Sequence, residues 1–131
     1  MRKDIEIPKV TGVEIAVVLE TNEIDGKEDW NVYILNRKDV DLEMVVIVSQ
    51  GFSDTKTTSI FRRKIDTLPA NSYQKFELMQ PELFDLDNRF QITFFEDNRL
   101  HDKTFIFQAE TIQKGFLRDI EFLEKKGIVC K

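Results

Sequence analysis

The sequence predicts an all-β fold: a single antiparallel β-sandwich of about seven strands, immunoglobulin-like, with an amphipathic C-terminal helix. Three observations carry that expectation. Short runs of β-forming residues recur along the chain, and a polar turn follows each. Phenylalanine is abundant, at 11 copies, while the 5 glycines and 3 prolines are scattered. Aromatic side chains suit strands with packed faces. Only the last segment changes its apolar period, from two to between three and four.

The first run, residues 13–20 (VEIAVVLE), places Val13, Ile15, Val17 and Leu19 on one face. Asp25-Gly26 then supplies a turn, because glycine accepts a positive φ. Residues 30–36 (WNVYILN) follow, with Trp30, Val32 and Ile34 on one side and Tyr33 and Leu35 on the other. Residues 42–49 (LEMVVIVS) are apolar on both faces, as in a central strand. Residues 57–65 (TTSIFRRKI) are more polar and read as an edge strand. Their Arg62, Arg63 and Lys64 discourage edge-to-edge pairing. Residues 73–79 form a strand with Phe76 and Leu78 facing in, and Pro81 suits the first turn of a short helix. Residues 90–94 and 100–107 pair as a hairpin around the turn Glu96-Asp97-Asn98-Arg99. In residues 112–126, Ile112, Phe116, Ile120 and Leu123 form a helical stripe, Glu121 and Lys125 an i,i+4 pair, and Gly127 a stop. That helix covers an open end or edge of the sandwich, or docks on a partner. A closed small β-barrel is the alternative architecture.

At 131 residues and 15.4 kDa, one domain spanning 1–131 is expected. Surface scaling leaves roughly 7,000 Å² exposed on folding, about a third of the unfolded value, which suffices for a core without disulfides. The net charge of −5 argues against a polyanionic partner and against anionic membrane surfaces. Apolar runs stop at five residues, as in "IAVVL" and "MVVIV", where a spanning helix needs about 20. The opening "MRKDIEIPKV" lacks the apolar centre of a signal peptide. Cys130 is the one cysteine, so no intrachain disulfide forms. A cytoplasmic location is expected.

Catalytic motifs are missing. His101 is the one histidine, and as adjacent strand residues, His101 and Asp102 point to opposite faces. A single His and a single Cys cannot assemble a zinc site from nitrogen and sulfur. "DLDNRF", residues 85–90, begins like a calcium loop but puts Arg89 and Phe90 where an oxygen donor and a glycine belong. "DVD", residues 39–41, is weaker. Neither a nucleophile elbow nor a phosphate loop can be written. No cofactor and no metal are expected. A carboxylate pair assembled from distant strands would leave no such trace.

The phrases "IPKVTGVEIAVVLE", "DWNVYILNRKD", "MVVIVSQGFSD", "LPANSYQKFEL" and "FQITFFED" resemble a small uncharacterised bacterial family, some of whose members carry the label phenylalanyl-tRNA synthetase. A synthetase core needs an ATP-binding sheet with signature arginines and a far longer chain. No functional residue carries over. The strand alternation, "LPANS" and the "PELFDLDNRF" corner also look like an immunoglobulin-like sandwich, with Trp30 similar to its core tryptophan.

The leading functional expectation is a non-enzymatic protein-interaction module that uses a sheet edge or the C-terminal helix to bind a protein partner or a second copy of itself as a dimer. Its candidate contact residues are Arg62, Arg63, Phe116, Leu117, Ile120 and Phe122. The alternatives are a small-ligand binder or carboxylate enzyme, and a nucleic-acid binder through Arg62 and Arg63.

Overall fold

Period-two alternation decides which side chains meet. The computed structural model describes residues 10–130. In β1 (Val13–Thr21), Val13, Ile15 and Val17 face the same core as Val32 and Ile34 of β2 (Glu28–Asn36). Their turn has Gly26 at φ 71°, and Asp25 accepts the Lys27 N–H at 2.9 Å. β3 (Leu42–Phe52), β4 (Phe61–Leu68), β5 (Ser72–Leu78), β6 (Asp87–Glu96) and β7 (Arg99–Phe107) follow. All seven expected strands are present, although the fourth begins at Phe61 rather than residue 57. A 3₁₀ turn at Pro81–Asp85 occupies the expected short helix.

The strands form two antiparallel sheets, ordered β4-β3-β6-β7 in one. The other runs β5-β2-β1 and is completed by two further strands, β9 (Lys125–Cys130) and β8 (Arg118–Ile120). No pairing joins the sheets among the described residues, so the closed barrel is ruled out in favour of two open layers. β3 lies between β4 and β6, as expected of a central strand, with Val45 and Ile47 buried on its inner face and Val46 and Val48 half-buried on its outer one, and β4 is an edge among the described residues. Between the layers, Phe90 packs edge-on against Phe76 and Phe107, with ring centroids 6.0 and 5.9 Å apart. Burying each such ring contributes roughly 1.5–3 kcal/mol.

The expected C-terminal helix over residues 112–126 is overturned, since no α-helix occurs among the described residues. That segment holds a 3₁₀ turn at Lys114–Phe116, then the β8–β9 hairpin. The four stripe residues do not share a face. Ile112 joins the core between the sheets, Phe116 is 51% exposed, and Ile120 and Leu123 pack with Ala16, Val18, Tyr33 and Leu35 on the outer face of the sheet that holds β1 and β2. Gly127 is no helix stop. It pairs opposite Val18, where a Cβ would stand 2.7 Å from the Val17 carbonyl oxygen. Lys125 pairs with Glu20 at 3.2 Å, not with Glu121. Among the described residues, no helix is long and apolar enough to cross a membrane.

Candidate functional site

Leu78 was expected to face in; it faces out, and the reason locates the site. Val32 pairs with Glu77 but Tyr33 pairs with Lys75, so β5 carries one extra residue, Phe76. Such a bulge breaks alternation and re-aims side chains. Phe76 stays in the core, Leu78 is left 50% exposed, and Glu77 turns toward the opposite sheet. There the buried Ser49 of β3 donates its hydroxyl to Glu77 Oε1 at 2.7 Å.

β4 and β5 are edge strands of different layers, and their side chains bridge the opening between them. Arg63 Nε donates to the Phe76 carbonyl at 3.1 Å, and its guanidinium lies 5.2 Å from the Phe61 ring centroid. Burial pushes the Glu77 carboxyl above its ordinary range, opposed by the Ser49 hydrogen bond and the Arg63 charge.

Around this cluster opens a groove of about 460 Å³. Its floor is polar, with Ser49, Glu77 and Asn88, and its walls include Ile60, Phe61 and Leu78. These three apolar side chains are all exposed, Ile60 by 54%. A larger groove of about 740 Å³ lies beyond Arg63 and is lined by Glu20, Glu23 and Asp29. Two of its carboxylates are already engaged. Glu20 accepts from Tyr33 at 2.6 Å and Asn31 at 3.0 Å, and Asp29 accepts from Asn22 at 3.0 Å. The larger groove also has exposed apolar lining, Ile24 and Leu78, but only the smaller one gathers Ile60, Phe61 and Leu78 around the Ser49–Glu77 pair.

The sequence-nominated residues fall into two separate groups. Arg62 and Arg63 sit on β4, and their strand partners Val48 and Ile47 put Arg62 on the outer face and Arg63 on the inner one. Phe116, Leu117, Ile120 and Phe122 belong to the C-terminal segment. There Ile120 is buried against its own sheet, and Phe122 lies half-buried, 5.9 Å from Tyr73 and under Arg37 at 4.7 Å. These contacts engage Ile120 and Phe122 within the chain, while Phe116 stays exposed.

Other candidates resolve structurally. His101 stacks on Phe94 at 5.2 Å, while Asp102 accepts from Gln91 at 3.3 Å. In "DLDNRF", Asp87 accepts the Ala109 N–H and Asn88 donates to the Leu83 and Leu86 carbonyls, which closes a corner. Asp41 of "DVD" accepts the Ala70 N–H. No group of three metal-ligating side chains occurs among the described residues. Burial raises the Cys130 thiol above its ordinary range, which disfavours the thiolate.

Sequence reasoning missed Glu77 and Ser49. A signal existed: Phe76 and Met79 are both apolar and three apart, a spacing that a regular strand cannot bury on one face. Comparison of the chain with protein-family models, curated proteins and solved structures yields no match.

Proposed function

We propose that this chain is a non-enzymatic protein-interaction module that receives an extended segment of its partner at the groove beside β4. The observation that carries this reading is the gathering of Ile60, Phe61 and Leu78 around one polar-floored opening, next to a strand with no neighbour on its outer side among the described residues. Exposed apolar side chains grouped with a few convergent polar groups favour recognition. A free strand edge offers backbone donors and acceptors to an incoming strand.

Catalysis fits the same groups less well. Ser49 is buried and donates directly to Glu77. A carboxylate is a weak base toward an alcohol, and an imidazole usually stands between the two. The polar floor then orients a ligand rather than reacting with it.

The immunoglobulin-like reading is supported by strand order. Lettering β1, β2, β3, β4, β5, β6 and β7 as A, B, C, C′, E, F and G, the sheets contain E-B-A and C′-C-F-G, with β9 and β8 extending the first. The likeness stops at Trp30, which lies on β2 and packs edge-on against Phe84 at 5.4 Å. The core tryptophan of antibody domains is on the third strand.

The test is to add short extended peptides to the full chain and follow backbone amide shifts by NMR. Shifts should concentrate at residues 60–68 and 76–78, and should vanish in an Ile60→Glu/Leu78→Glu variant that keeps its fold. Binding that maps elsewhere, or that survives both substitutions, contradicts the reading.

A further inference from the structure

The outer edge of β4 has a charge pattern of its own. Arg62 and Lys64 pair with Val48 and Val46, so both stand on the outer face of their sheet. Between them, Arg63 pairs with the buried Ile47 and turns to the groove. A strand added beside β4 would alternate in the same way. Its outward residues would lie opposite Arg62 and Lys64. Its inward residues would meet Ile60, Phe61 and Leu78.

We infer that the partner segment is an extended strand alternating acidic residues, opposite Arg62 and Lys64, with apolar residues over the Ile60–Phe61–Leu78 groove. This rests on the edge-recognition reading above and adds the chemistry of the occupant. The three cations then have two roles. In the free protein they oppose pairing between like edges, since cationic strands repel. In the complex the outer two select a segment of opposite charge.

A nucleic acid is the competing polyanion, and the surroundings disfavour it. The adjoining groove carries Glu20, Glu23 and Asp29, and Glu77 borders both openings. Lys64 already has Asp66 at 3.7 Å, and Arg63 Nε is spent on the Phe76 carbonyl. A phosphate backbone needs a run of free cations, whereas a strand needs only a partner at alternate positions.

The experiment measures affinity of the full chain for two short synthetic peptides, one alternating Glu and Leu, the other Lys and Leu. A single-stranded oligonucleotide is the third probe. The Glu–Leu peptide should bind, weaken with added salt, and lose roughly tenfold on Arg62→Glu/Lys64→Glu, the sum of two cross-strand charge reversals. The Lys–Leu peptide should prefer the reversed protein. Both substituted positions are exposed, and an unchanged urea midpoint will show that the variant keeps its fold. Equal binding of both peptides at β4 overturns the charge rule and leaves the groove as a strand-binding site. Binding of neither overturns the edge reading as well. Oligonucleotide binding that is lost on the same double reversal overturns the peptide inference in favour of nucleic acid.

Discussion

Glu77 joins the two layers through a hydrogen bond and carries an electrostatic cost. Burial raises its pKa from the ordinary value of 4.5. The folded chain therefore holds this proton to higher pH than the unfolded chain does. The associated stability is full below the ordinary value and is lost as pH rises through the raised one. Glu77→Gln keeps an oxygen for Ser49 and removes the charge. Its urea midpoint should exceed that of the parent at neutral pH and converge with it in acid; a constant offset across pH contradicts the assignment. Glu20 has the opposite sign. Burial pushes its carboxyl up, but hydrogen bonds from Tyr33, Asn31 and Lys125 outweigh burial and hold the net value low. Tyr33→Phe removes one charge-assisted hydrogen bond and should cost about 1.5–3 kcal/mol by chemical denaturation. At this scale the sequence was least informative. A glutamate within an alternating strand reads as solvent-facing, and only a bulge, which depends on the neighbouring strand's register, turns Glu77 inward.

Strands were legible wherever alternation was confined to one stretch, and the C-terminal element was not. Ile112, Phe116, Ile120 and Leu123 mimic a helical stripe, yet they answer to two different clusters and to solvent. Two local features oppose a helix: Gly115 inside the stripe, and β-branched Ile128 and Val129 just past it. Pairing of β9 with β1 then decides the outcome, a long-range contact that no local window shows. The hairpin account separates from the helix account by mutation. Leu123→Ala should cost about 2–5 kcal/mol, while Phe116→Ala should stay within about 0.5 kcal/mol, both read from urea unfolding. Gly127→Ala drives a methyl group toward the Val17 carbonyl and the Ile120 side chain, and should cost about 1–3 kcal/mol. If Leu123→Ala and Gly127→Ala are both neutral, the hairpin is not packed as described.

At the scale of the whole molecule, two layers enclose a filled aromatic interior, and the exposed chemistry is displaced to one side. Phe90 touches the rings of Phe76 and Phe107 from the middle of the sandwich, so Phe90→Ala should cost about 3–5 kcal/mol. The two-layer class was visible because eleven phenylalanines and repeated alternation require buried strand faces. Its recognition side was visible only in part. Arg62 and Arg63 were nominated from the basic cluster in residues 61–64, but the groove that Arg63 lines joins β3, β5 and the loop before β4, segments distant in sequence. The most direct measurement of the central claim is residue-level amide hydrogen exchange on the full chain, with and without the alternating Glu–Leu peptide. The account requires slower exchange along Phe61–Leu68 on binding, with the opposite edge, Arg99–Phe107, unchanged. Protection confined to Arg99–Phe107, or no change in either strand at a peptide concentration that saturates binding, would contradict it.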